Sequence, residues 1–149
     1  MAKLSKKDAA LKIWLKMHRS YMTVLTASGE KLKEYKLNEV QFGVIDYLVN
    51  KGSSKIGLLC KKMMVSGGNM TLILDYLEKQ SLIKRSHSKT DRRSIDVEVT
   101  EKGSKLYEKV LAEYGDALQD IFSVLTEREQ EIFASSLKKI GTGIESAKF

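Results

Sequence analysis

Between Ser94 and Thr100 the chain changes rhythm. Ile95, Val97 and Val99 alternate strictly with Asp96 and Glu98, which is the two-residue period of a strand with one face turned inward. Along most of the remaining chain, apolar residues recur at spacings of three and four, the period of an amphipathic helix. A chain patterned in this way can close only a small sheet, so its core has to be made largely by helices. Its 149 residues suffice for one domain and fall short of two comfortable ones. The expected fold class is therefore mainly α, of the α+β kind, in a single domain spanning 1–149.

There is no proline in the chain, so breaks must come from Gly, Ser and Asn. Residues 8 to 28 read as a long amphipathic helix with Leu11, Trp14, Leu15, His18, Tyr21, Met22 and Leu25 along one stripe. A second helix begins at Asn38, which can cap while Gln41 reaches back and Leu37 staples onto Phe42. It should end near Gly52. Residues 55 to 64 carry Ile56, Leu59, Cys60 and Met63 on one face. Ser66 then caps a helix whose Met70, Ile73, Leu74 and Leu77 form the inward stripe, leaving Gly67, Gly68, Asn69, Thr71 and Asp75 to solvent. Two short helices this close together make a helix-turn-helix arrangement.

"SLIKRS" and "SIDVEVT" then read as the two strands of a hairpin with "HSKTDRR" at its tip. Helical spacing returns at Leu106, Val110, Tyr114, Leu118 and Ile121. Thr126 and Glu129 have the spacing of a capping box for a last helix carrying Phe133, Leu137, Ile140 and Ile144. The stripes of the first helix and the last two are too long for a module of this size to cover, which predicts a second subunit as their partner.

Lys and Arg exceed Asp and Glu by 26 to 19, a net charge of +7. The excess is concentrated, since residues 84–93 hold Lys84, Arg85, Lys89, Arg92 and Arg93 against Asp91 alone. Focused positive charge attracts a polyanion through its field and through counterion release. A basic run by itself also describes an ordinary solvated face; its place directly after a helix-turn-helix is what gives it meaning. A helix fits the major groove, and a basic loop to one side reaches phosphates or the neighbouring minor groove.

Gly67 and Gly68 let the backbone approach a phosphate at a helix N-terminus, although they suit an ordinary turn into a helix equally well. Asn69 and Thr71 are placed to reach base edges, Asn being suited to adenine; a solvated role serves Asn69 as well. Lys84, Arg85 and Lys89 fit phosphate contacts.

Other classes find little support. No apolar run approaches the roughly 20 residues that cross a bilayer. Lys12 and Lys16 interrupt the N-terminal stretch at helical spacing, so it does not read as a signal peptide, and a cytoplasmic location is expected, with no membrane partner. The one cysteine, Cys60, excludes an internal disulfide and a multi-cysteine zinc site; on the apolar face of its helix it reads as a small buried hydrophobe. The phosphate-loop, dinucleotide, zinc-protease and nucleophile-elbow signatures are all missing, and His18 and His87 are too far apart to form a local pair. Neither enzyme activity nor a cofactor or metal is expected.

Taken in order, "LNEVQFGVIDYL", "MMVSGGNMTLILDYLEKQSLIKR" and "DRRSIDVEVTEKG" resemble the MarR family of winged helix-turn-helix transcriptional regulators. The most specific pieces are Asp91, Arg92 and Arg93 followed by "VTEKG", and the Leu77 to Arg85 exit from the second short helix. The resemblance is close from about residue 37 to 105. It implies a winged helix-turn-helix module over 36–103 with a two-stranded wing, and dimerisation helices at both ends, 1–35 and 104–149. It also implies a homodimer, joined through its first and last helices, that presents two winged modules to a palindromic operator on double-stranded DNA as a repressor or activator.

By position, Ser66, Gly68, Asn69 and Thr71 match the recognition helix. Arg93 matches the wing arginine that enters the minor groove, with Asp91 as its carboxylate partner. A guanidinium favours the negative potential of a narrow minor groove, so Arg92 or Arg93 would supply shape readout. Many members sense a small-molecule effector between the dimerisation helices and the winged module; Trp14, His18, Tyr21, Met22 and Met64 are the candidates here, although a stripe of this kind is more often core or interface. The reactive cysteine of the hydroperoxide sensors, near the start of the first long helix, has no counterpart. The reading that competes with DNA binding is a winged-helix protein interaction module.

Overall fold

The computed structural model describes residues 5–88 and 94–146; Lys89, Asp91, Arg92 and Arg93 of the hairpin tip lie outside the described residues. The chain divides into two compact units, Met1–Tyr114 and Gly115–Phe149.

In the first unit, α1 (Lys6–Glu34) starts where the Ser5 hydroxyl accepts the Asp8 amide. It runs further than the stripe over 8 to 28 suggested. Gly29 does not stop it: its backbone packs beside Glu39, whose Oε1 would stand 2.2 Å from an added Cβ. Three residues later Leu32 is completely buried. Helix α2 (Glu39–Lys51) opens on the expected capping box, with Asn38 accepting from the Gln41 amide at 2.9 Å and Gln41 accepting from the Asn38 amide at 3.0 Å. It closes at Gly52, whose φ of +80° an L side chain rarely adopts.

A two-residue strand not foreseen from the sequence follows, β1 (Ser54–Lys55), and leads straight into α3 (Ile56–Met63). Met64 takes the left-handed conformation that ends α3, and Ser66 then caps α4 (Gly67–Lys79), its Oγ accepting the Asn69 amide.

The hairpin is β2 (Ile83–His87) and β3 (Ile95–Val99), paired antiparallel with Lys84 opposite Glu98 and Arg85 opposite Val97. Since β1 also pairs with β3, Ser54 opposite Val97, the sheet has three strands in the order β1-β3-β2. Two residues are too few to show alternation, which is why β1 could not be read in advance.

Thr100 joins the sheet to α5 (Glu101–Phe122). Its Oγ1 donates to the Ser81 carbonyl at 2.7 Å and accepts the Gly103 amide at 3.0 Å. Gly103 rests against the Leu82 carbonyl so closely that a Cβ there would stand 2.1 Å from the oxygen.

The core of this unit is built from the inward faces of α2, α3, α4, the sheet and the first half of α5. Ile45, Leu48, Leu59, Met70, Leu74 and Val97 lie at its centre. Phe42 stacks on Tyr107 at 5.7 Å between ring centroids and meets Tyr114 at a tilt of 59°. The Tyr107 hydroxyl donates to Asp46 at 2.7 Å and accepts from Asn50 at 3.2 Å. Burial and the Asp46 carboxylate push its pKa up, so it remains a donor.

The second unit holds the end of α5 and α6 (Glu127–Ser146). Thr126 and Glu129 form the anticipated cap, each accepting the other's backbone amide. Hydrogen bonds donated by the Thr126 amide and hydroxyl hold the Glu129 carboxyl below the usual glutamate range. Phe133, Leu137, Ile140 and Ile144 are exposed on α6.

Candidate nucleic-acid interface

The first turn of α4 carries most of the described candidate residues. Ser66, Gly67, Gly68, Asn69 and Thr71 are all exposed. On the opposite face Met70, Ile73, Leu74 and Leu77 are buried, so core packing fixes which way the helix presents its first turn. Among the described residues, apart from chain neighbours and the helix's own backbone, nothing lies within 4 Å of where a Cβ would stand on Gly67 or Gly68, and neither has positive φ. Packing and turn geometry therefore do not demand glycine there. What glycine adds is bare backbone at a helix N-terminus, where amide groups and the helix dipole favour an anion.

The Thr71 hydroxyl donates back to the Gly67 carbonyl at 3.0 Å, which leaves its lone pairs outward. Leu72, one position on, is 70% exposed. It was not singled out in the sequence reading, yet the signal was there: a leucine off the i, i+3, i+4, i+7 stripe of its own helix. On a groove-facing helix such a side chain suits the methyl of thymine.

The two basic residues of β2 are already engaged within the protein. Lys84 pairs with Glu98 across the ladder at 2.9 Å. Arg85 is held more firmly. Its backbone amide donates to Glu78 Oε1 at 3.1 Å, its Nε to Glu78 Oε2 at 2.9 Å, and one terminal nitrogen to Asp75 Oδ1 at 2.6 Å and to Glu78 Oε2 at 2.5 Å. Hydrogen bonding by this guanidinium holds the Glu78 carboxyl below the usual range, and the carboxylates in turn raise Arg85. Arg85 thus ties β2 to the outer face of α4. The signal for this in the sequence was Asp75 and Glu78 three residues apart on the solvent side of α4.

The proposed effector residues are not gathered into one enclosed cavity. Trp14, Tyr21 and Met22 are exposed along α1. His18 is also exposed, its ring 6.0 Å from that of Trp14, and Met22 borders an open depression with Thr23, Thr26 and Ala27. Met64 stands elsewhere, 93% exposed at the C-cap of α3. Cys60 is half-buried and packed on the core, as a small hydrophobe would be. Among the described residues no group of His, Cys, Asp or Glu could hold a metal ion, and no helix is long and apolar enough to cross a membrane.

Comparison with known proteins agrees with this fold. The family model for the transcriptional regulator SarA/Rot matches residues 26–110. The chain is 28% identical over 134 residues to the HTH-type transcriptional regulator MhqR of Bacillus subtilis, covering 90% of this chain and 92% of that one. It is 29% identical over 134 residues to the transcriptional repressor MdtR of the same organism, covering 90% and 86%. A mutant MarR from Escherichia coli, solved in complex with operator DNA, superposes with a TM-score of 0.80 at 22% identity, covering 92% of this chain and 99% of that one.

Proposed function

Because the chain belongs to the MarR-type winged helix-turn-helix regulators of transcription, we propose that this DNA-binding regulator acts as a homodimeric repressor on a palindromic operator. The observation that carries this reading is the first turn of α4: it is capped, exposed and backed by buried core residues, and it carries two glycines that the protein's own packing does not require. In the proposed complex α4 enters the major groove. Gly67 and Gly68 bring backbone amides to a phosphate, Asn69 reads an adenine edge, and Thr71 and Leu72 offer a hydroxyl and an apolar contact. Arg93, extended by Asp91, enters the adjacent minor groove with Arg92 beside it. Lys89 and Lys84 meet phosphates, Lys84 by exchanging Glu98 for one, while Arg85 holds β2 and α4 in register.

Residues 36–103 form the reading module in this proposal. The stretches 1–35 and 104–149 provide dimerisation, and a small-molecule effector meeting Trp14, His18, Tyr21, Met22 or Met64 would release the operator.

Binding to duplex DNA under salt titration tests the proposal. If the two subunits neutralise ~6 to 8 phosphates, log K falls against log salt with a slope of about −5 to −7. A flat response would instead identify a protein interaction module. Selection from a random duplex pool supplies the operator, expected to be two-fold symmetric. On it, Asn69→Ala relaxes preference by ~1 to 3 kcal/mol at one position per half-site, and Arg93→Ala weakens binding without unfolding the dimer. Unchanged affinity in the arginine variant would remove the wing from the mechanism.

A further inference from the structure

Helix α4 is also held in its second half, by a contact that the proposed reading of bases does not use. Tyr76 is half-buried there and packs on the core. Its hydroxyl donates to the Lys36 carbonyl at 2.5 Å, forty residues away in the chain.

Lys36 ends α1. The Leu37 amide donates to the Leu32 carbonyl at 3.1 Å and the Lys36 amide to the Lys33 carbonyl at 2.9 Å, the paired bonds of a helix end that turns through the left-handed region. Glycine is the usual residue at such a bend. Lys36 takes it at a φ of +56°, where a side chain costs conformational energy.

The bend is anchored on its other side as well. The Tyr35 hydroxyl donates to Glu113 Oε1 on α5 at 2.5 Å, and Lys31 pairs with Glu113 Oε2 at 3.3 Å. Lys109, also on α5, stands 5.2 Å over the Tyr35 ring. Consecutive residues of one backbone bend are therefore tied to α5 through Tyr35 and to α4 through Tyr76.

Burial of Met70, Ile73, Leu74 and Leu77 sets which face of α4 turns inward, yet apolar burial has no preferred direction of its own. A hydrogen bond does. Asn69 lies seven residues before Tyr76, about 10 Å along the axis at ~1.5 Å per residue, so a tilt of about 5° pivoting at Tyr76 moves it by about 1 Å. That is enough to break a base-edge hydrogen bond, whose range is about 2.7 to 3.2 Å.

We propose that Tyr76 is a positioning residue for the reading of DNA: by fixing α4 to the Lys36 bend, which Tyr35 and Glu113 fix to α5, it sets the tilt at which the first turn of α4 meets the bases. The role in reading rests on the DNA-binding function proposed above; the tilt is a property of the free protein.

Three variants of the full chain test this, Tyr76→Phe, Tyr35→Phe and the double variant, each deleting hydroxyls and keeping the rings. In the free protein, Tyr76→Phe shifts the backbone amide resonances of Gly67, Gly68 and Asn69. Resonances that stay in place overturn the proposal. On the selected operator Tyr76→Phe binds roughly three- to tenfold more weakly, while affinity for a duplex of scrambled sequence and the salt slope match wild type, because no phosphate contact is lost. A merely structural tyrosine would lower the melting temperature and leave the ratio of operator to scrambled affinity, taken on folded protein, unchanged; that outcome also overturns the proposal.

Tyr35→Phe lowers the same ratio. In the double variant the two losses combine to less than their product, because links in series are cut only once. Losses that multiply would overturn the path through the bend to α5. A wild-type protein that binds no duplex would refute the DNA-binding reading instead, and the amide resonances then decide whether Tyr76 sets the tilt of α4.

Discussion

Gly68 and Gly103 look alike in the sequence and are held for different reasons. Around Gly68 there is open space and ordinary negative φ, so Gly68→Ala is tolerated and raises stability by up to about 1 kcal/mol through helix propensity. In the proposed complex the same methyl would stand between backbone and phosphate, so duplex affinity is expected to fall. At Gly103 an added Cβ meets the Leu82 carbonyl at 2.1 Å and a Val99 methyl at 2.8 Å. Backbone cannot yield as a side chain does, and Gly103→Ala is expected to cost about 1 to 3 kcal/mol. Urea melts with duplex titration on both variants check the pair: stability lost at Gly68, or kept at Gly103, would contradict the packing described. Neither distinction is visible in the letters around each glycine, because it depends on what the rest of the chain brings close.

Among elements, the contact of β2 with α4 matters most for the proposed function, since it fixes the hairpin against the helix that carries Asn69. Arg85 makes that contact through Asp75 and Glu78. Arg85→Ala leaves two carboxylates facing each other and is expected to lower stability by about 1 to 2 kcal/mol, discounted for the partial exposure of all three groups. Duplex affinity should fall while sequence preference is retained, because no base contact is removed.

The pH dependence has a definite sign. Hydrogen bonding by Arg85 lowers the folded-state pKa of Glu78. The resulting stabilisation is fully present above the ordinary glutamate value of about 4.3 and is lost as pH falls through the lowered folded value. Denaturation midpoints measured from pH 6 downward should decline less steeply in Arg85→Ala than in wild type; parallel curves would show that the ion pair contributes nothing.

The element boundaries themselves were largely legible. Asn38 with Gln41, Ser66 with Asn69, and Thr126 with Glu129 sit where their spacing predicted, because a cap is a contact across three residues.

For the whole molecule, the proposed homodimer accounts for the apolar side chains left exposed on α1 and α6, Leu11, Trp14, Leu15 and Tyr21 on the first and Phe133, Leu137, Ile140 and Ile144 on the second. Ile140→Glu places a charge in the middle of the second set. Sedimentation should then report a monomer, with an operator affinity at least tenfold weaker because two half-sites are no longer bound together. A dimer of unchanged stability would move the interface elsewhere.

By itself the sequence determined where the capped helices begin, which face of each is apolar, and that a helix-turn-helix precedes a basic hairpin. These depend on periodicity and on contacts a few residues apart. Tertiary structure alone decided that Ser54 and Lys55 join the sheet, that Arg85 is committed to Asp75 and Glu78, and that the Ser54 hydroxyl is buried without a hydrogen-bond partner. Those outcomes are set by which distant segments come into contact, and pairing energy between distant segments leaves no local period to read.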